Sequence, residues 1–221
     1  MNTAAETARL RQGFYRFFAG ALAPPMQARL AELVSAADLL EDMGPSQYGF
    51  YQEWRALVDV LHSGVLVADV APEHVRLFAS GAKDVLCPPH ESYYRSHGRR
   101  EAIAGIAAAI EADYSQLGIS VADSTDPPDH ATTQLEIMST LCAREFAAWE
   151  MDLPNEAGSL LESQGTFLRN HLAFWLPLLR SRLLSAGPHA YYAASMDAVH
   201  AFVLHDQDLI FQVRRWTGAV A

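Results

Sequence analysis

The stretch 126-DPPDHATTQLEIMSTLCAREFAAWE-150 decides the fold class. It opens with two prolines and three ionisable side chains in five positions, then becomes apolar at helical spacing. Leu135, Met138, Cys142, Phe146 and Trp149 advance by three and four, which predicts a helix with a buried stripe. Asp126 suits the N-cap of that helix, with Pro127 at its first position, where a missing N–H is harmless. Asp129 then falls in the first turn, favoured by the helix dipole. Capping needs one acid, and this corner supplies two acids and a histidine. The surplus points to a polar surface that accepts hydrogen bonds from a guest. Asp129 and His130 diverge by about 100° around a helix, so they do not form a natural catalytic dyad.

The same spacing recurs on both sides. Toward the N-terminus, "ETARLRQGFYRFFAGAL" places Leu10, Phe14, Phe17, Phe18 and Leu22 on one stripe, ended by Pro24 and Pro25. Further helices are expected over "MQARLAELVSAADLLEDM", over roughly 46–62, and near Pro72. "GVLVADV" is the one stretch with strand-like alternation. Gly81, Pro88, Pro89 and Gly98 punctuate an extended loop, and helix resumes at "REAIAGIAAAIEADYSQLG" with Gly118 as its stop. "ISVADSTDPPD" reads as a connector. Beyond the opening stretch, Leu161, Gln164, Leu168, His171, Trp175 and Leu179 lie along one line, with Pro177 expected to kink or divide that helix. A last helix is expected at about 188–206. The expected fold is therefore all-α. It is a single helical domain over 1–221, with lobes of about 1–120 and 127–221 joined by a hinge near 118–128.

Composition narrows the function. The 221 residues carry 26 acidic and 16 basic side chains, a formal net charge of −10. That disfavours broad binding to nucleic acid or anionic membrane and suits a basic partner such as an arginine-rich peptide. Cys87 and Cys142 have no paired spacing, which fits a reducing cytosol rather than a disulfide framework. No charge-free apolar run approaches the ~18 residues a membrane span needs, and Arg9, Arg11 and Arg16 interrupt any export-signal pattern. The expected location is the cytoplasm.

Motifs for nucleotide cradling or helical zinc proteolysis are absent from the sequence. "CPPH" spaces Cys87 and His90 like half of a zinc site, but two further ligands at matching spacing are missing. His171 on its apolar line reads as a hydrogen-bonded core histidine. No metal, cofactor or catalytic residue is therefore expected.

Three stretches together resemble the TorD/DmsD family of cytoplasmic chaperones, which assist maturation of molybdenum-cofactor oxidoreductases. The first carries Leu77 and Phe78, then Pro89, Glu91, Ser92 and Tyr94, matching a leucine–phenylalanine pair ahead of P-x-E-S-x-Y. The second is the corner itself, Asp126, Pro127, Pro128, Asp129 and His130, with aspartate where the family more often has glutamate. The third runs through Phe167, Leu168, His171, Leu172, Trp175 and Pro177. The helix "RSHGRREAIAGIAAAIEADYSQLG" also resembles chaperones of the periplasmic type II dimethyl-sulfoxide-reductase enzymes, whose clients include ethylbenzene, dimethyl sulfide, selenate and chlorate enzymes.

The resemblance implies a chaperone that binds an apo-enzyme and its twin-arginine signal peptide, delays export and assists cofactor insertion. It would act as a monomer or a domain-swapped dimer. Leu77, Phe78 and Tyr94 would line an apolar groove near Pro89 and Ser92. Asp126, Asp129 and Glu91 would meet the paired arginines, so that Asp129→Ala or His130→Ala weakens client binding. Three rivals remain: a nitrate-reductase-type assembly chaperone of the same fold, a helical metal-dependent hydrolase using His90, Asp129 and His130, and a structural adaptor indifferent to the signal peptide.

Overall fold

The computed structural model describes residues 3–79, 85–97, 99–121 and 126–218. Among these the helices are α1 (Thr3–Leu22), α2 (Gln27–Asp42), α3 (Tyr51–His62), α4 (Val67–His74), α5 (Glu91–Arg95), α6 (Arg100–Gln116), α7 (Ala131–Glu150), α8 (Pro154–Asn170), α9 (Leu172–Ser185) and α10 (Ala190–Thr217). The all-α expectation holds, and "GVLVADV" is not a strand but the approach to α4 and its first turn. The one β-type pairing among the described residues is an isolated antiparallel bridge, His90 to His130.

α1 is the centre of the molecule rather than a helix with one buried stripe. Ala5, Ala8, Leu10, Phe14, Tyr15 and Phe18 are all buried, so the helix is enclosed on most of its circumference. Phe14 meets Phe50 and Trp54 edge-on at 5.0 and 4.9 Å, and Phe202 at 5.3 Å. Each such aromatic pair contributes roughly 0.5–1.5 kcal/mol beyond its buried area. These rings join α1 to α3 and α10, while α7 and α8 close the other side.

An arginine on so enclosed a helix has to be paired, and Arg11 is. Its Nε lies 2.5 Å from Asp206 Oδ1, and one terminal nitrogen lies 2.7 Å from Glu145 Oε2. The other terminal nitrogen donates to Gln164 Oε1, and Tyr15 donates to Asp206 Oδ2 at 2.6 Å. Burial opposes the guanidinium charge, but Asp206 and the neighbouring acids hold it firmly protonated. One buried cluster thus joins α1, α7, α8 and α10.

α1 also ties the two halves of the chain together. α1, from the first half of the chain, lies among α7, α8 and α10 of the second half, and Tyr191 of α10 donates to the Ala21 carbonyl at 2.8 Å. The two halves are joined through α1. Of the expected hinge, 122–125 lies outside the described residues, and both its flanks are fastened. Arg144 of α7 donates to the Leu117 and Gly118 carbonyls at 2.8 and 2.9 Å, a cation at the C-terminal end of α6. Gly118 does end that helix, at φ +65°. On the far flank, Tyr114 donates to the Pro128 carbonyl at 2.5 Å.

Two prolines act differently from expectation. Pro72 sits inside α4, which continues into a π-helical turn over Val75–Ala79. There the Leu77 carbonyl accepts from the Cys87 N–H at 2.8 Å. Pro177 lies within α9, and the break falls earlier, at His171 (φ −120°, ψ −96°). The broken turn is held from outside: Arg95 donates to the freed Asn170 carbonyl. α10 also runs well past the expected end at 206.

Candidate functional site

The corner begins with a turn, in which His130 N–H donates to the Pro127 carbonyl at 3.0 Å. α7 then starts at Ala131, and its N-cap is His130 rather than Asp126. His130 Nδ1 accepts the Thr132 N–H at 3.3 Å. The Thr132 hydroxyl lies between His130 Nδ1 (2.6 Å) and Asp126 Oδ2 (2.7 Å). Asp126 therefore supports the cap at one remove. Prolines at 127 and 128 favour an extended approach, which delays the helix until they are passed.

Two backbone bonds weld this corner to the proline loop. Glu91 N–H donates to the Asp129 carbonyl and Ala131 N–H to the Pro89 carbonyl, both at 2.9 Å. Side chains complete the joint. His90, the N-cap position of α5, makes no cap bond of its own. Asp129 does that work instead: its Oδ2 accepts the Ser92 N–H at 3.3 Å and the Ser92 hydroxyl, while Oδ1 meets His90 Nδ1 at 3.3 Å. Burial raises the pKa of the Asp129 carboxyl, but hydrogen bonds from His90 and Ser92 outweigh it and bring the value below the ordinary one. Burial lowers His130 to about 4, so its ring is neutral and able to accept.

A second buried set lies behind the first. Glu91 is fully buried, accepts from Arg95 and Gln134, and lies 3.0 Å from His171 Nδ1. Trp175 Nε1 donates to Gln134 Oε1 at 2.8 Å. His171 is thus the hydrogen-bonded core histidine its position predicts, and its Nε2 lies 3.5 Å from the half-exposed Asp113.

The structure accordingly sorts the candidate residues. Pro89, Glu91, Ser92, Asp126, Asp129 and His130 come together in one joint. Glu91 and Asp129, expected to meet guest arginines, are both buried, and their carboxylates already accept hydrogen bonds within the joint. Asp126 is the exposed acid of the corner, its side chain 39% accessible. Leu77 is fully buried, so it is core rather than groove wall. Phe78 is half-buried against the rings of His74 and Tyr192, at 5.1 and 5.6 Å. Tyr94 stacks on Trp175 at 5.5 Å, and its buried hydroxyl has no hydrogen-bond partner among the described residues.

The hydrolase arrangement does not assemble. His90 and His130 meet ring to ring at 5.0 Å, Asp129 is spent on Ser92 and His90, and His130 Nδ1 is spent on the cap. Among the described residues, no group of three or more histidine, cysteine or acidic side chains is arranged to hold a metal ion. Arg11, Asp206, Glu145 and Gln134 were not singled out from the sequence, although Gln164 on an apolar line was a signal of buried polarity. Glu136 was also missed. Burial and the nearby Asp126 raise its pKa above the ordinary value.

Residues 20–181 match the family described as nitrate reductase delta subunit. The chain belongs to that family. Its relatives include the perchlorate reductase assembly chaperone of Dechloromonas aromatica strain RCB, 25% identical over 62% of this chain and 62% of that protein. The chlorate reductase assembly chaperone of Ideonella dechloratans is 30% identical over 50% of this chain and 55% of its own. The selenate reductase assembly chaperone of Thauera selenatis is 39% identical over 28% of this chain and 31% of its own. The chain thus spans under two thirds of the length of these relatives. The TorD/DmsD resemblance stands within this family, and the named relatives are described as reductase assembly chaperones. No helix among the described residues is long and apolar enough to cross a membrane.

Proposed function

We propose that this protein is a non-catalytic assembly chaperone for the catalytic subunit of a molybdenum-cofactor oxidoreductase. It holds the apo-subunit by its twin-arginine leader, in the cytoplasm, until the cofactor is in place. The observation that carries this reading is the division of labour at the corner. Glu91, Ser92 and Asp129 are buried and, with His130, hold two chain segments together, whereas Asp126, bonded to the Thr132 hydroxyl, is partly open to solvent. That makes a rigid presenting edge, not a reacting centre. Charge-assisted bonds to arginine suit Asp126 and the acidic chain around it. Phe78, half-buried, supplies apolar surface for the leader's hydrophobic run. The relatives' names support reductases of oxyanions as the client class, while the family's description supports a nitrate-reductase-type client; the corner serves either. Monomer and domain-swapped dimer both suit this role.

The test is co-purification of the apo catalytic subunit with and without its leader. A stable complex that is lost on deleting the leader is expected. Undiminished binding of the leaderless subunit would make the protein an adaptor for a folded surface instead.

A further inference from the structure

Phe78 is carried by a distorted segment. α4 ends at His74, and the next five residues, Val75–Ala79, form a π-helical turn. Such turns are rare inside helices and recur at functional sites. The i→i−4 ladder is interrupted there, so α4 alone does not set the direction of Phe78.

Side chains supply the missing restraint. Glu73 and Arg76 form a two-bond ion pair, Nε to Oε2 at 2.6 Å and Nη2 to Oε1 at 2.7 Å. The pair is seated on the turn between α9 and α10. Arg76 Nη2 also lies 3.3 Å from the carbonyls of Ala186 and Gly187, at the C-terminal end of α9. Glu73 Oε1 accepts the His189 N–H at 2.9 Å, at the N-terminal end of α10. Cation and anion thus each meet the helix end whose dipole favours them. Tyr192, in the first turn of α10, donates to the Val70 carbonyl at 3.1 Å, and its ring meets Phe78 at 5.6 Å and His74 at 6.0 Å. The Leu77 carbonyl, accepting the Cys87 N–H, ties the same turn to the proline loop, which His90 joins to the corner.

We infer that Glu73 and Arg76 are positioning residues for client recognition: the pair anchors the π-turn on the α9–α10 turn and so holds Phe78 against Tyr192, fixed relative to the corner. The inference rests on the reading that Phe78 meets the leader's apolar run, and adds the pair that sets where that contact stands. Arg76 and Phe78 lie two apart and leave the turn in different directions, so Arg76 acts through the backbone. A half-exposed ion pair without this role would shift stability slightly and leave binding alone.

The experiment uses the full chain and two fluorescent synthetic peptides, an Arg-Arg pair followed by a leucine run and the same peptide with alanine in the run. Anisotropy titrations compare wild type, Phe78→Ala, Arg76→Met and the double variant. Each single substitution is expected to weaken the leucine peptide about tenfold and leave the weaker alanine peptide unchanged. The double variant should also lose about tenfold rather than about a hundredfold, because both changes remove one contact. Arg76→Lys keeps a charge at the end of α9 without the planar fork, so it preserves the fold and should weaken the leucine peptide about threefold. Wild-type affinity in both Arg76 variants, additive losses in the double variant, or equal weakening of both peptides would overturn the positioning role while leaving leader binding standing. No binding of the leucine peptide to wild type would overturn the leader-binding reading itself.

Discussion

At the scale of single residues, the motif histidine and aspartate do structural chemistry. His130 caps α7 only while Nδ1 is unprotonated, and its folded-state pKa of about 4 lies below its ordinary 6.5. The unfolded chain therefore takes up the proton first. Stability is complete above about pH 6.5 and declines as pH falls toward 4. Asp129 acts in the same direction at lower pH, since its depressed value gives stability that is present above its ordinary 3.8 and lost as pH drops through the folded value. His130→Asn keeps a cap acceptor without the titration. Thermal melts of that variant should show a flatter dependence on pH between 6.5 and 4 than wild type. An identical slope would mean another group sets the acid limit.

At the scale of elements, two sequence motifs prove to be halves of one object. P-x-E-S and the D-P-P-D-H corner lie more than thirty residues apart in the chain. Asp129 nevertheless caps α5 from outside, and the 90–130 bridge holds the two together. Helix existence was legible because the apolar spacing is strong: α2, α3, α6, α7 and α8 lie where the periodicity predicts. Boundaries were not. Asp126, Pro127 and Asp129 satisfy every local rule for a helix start, yet the tertiary bond pattern begins α7 at Ala131. Likewise Pro177 satisfies the rule for a break, and His171 takes the break because its ring engages Glu91. Local rules describe what a segment tolerates, and the partners, distant in sequence, decide.

At the scale of the whole molecule, α1 is the keystone, and periodicity could not reveal it. A stripe of apolar residues looks alike on a surface helix and an enclosed one. Arg11 was the available clue, since its burial requires Asp206 and Glu145, which lie far along the chain. Arg11→Met should destabilise the fold by roughly 3–5 kcal/mol in urea titrations, because two carboxylates are left buried without their cation. Adding Asp206→Asn should recover part of that loss. A loss below about 1 kcal/mol for Arg11→Met would place the arginine at a solvated site instead. The corner is fixed by its bonds to the proline loop and to Tyr114, so the folded protein presents a preformed edge.

The most direct measurement pairs two substitutions at that edge, Asp126→Asn and Asp129→Asn, and records leader-peptide affinity and melting temperature for both. Asp126→Asn should weaken an Arg-Arg leader about tenfold and leave the melting temperature near wild type, because an amide still accepts the Thr132 hydroxyl. Asp129→Asn should do the reverse, lowering stability by about 1–3 kcal/mol while the protein that remains folded binds as before. The opposite pattern, with Asp129→Asn abolishing binding in a fully stable protein and Asp126→Asn without effect, would contradict the account.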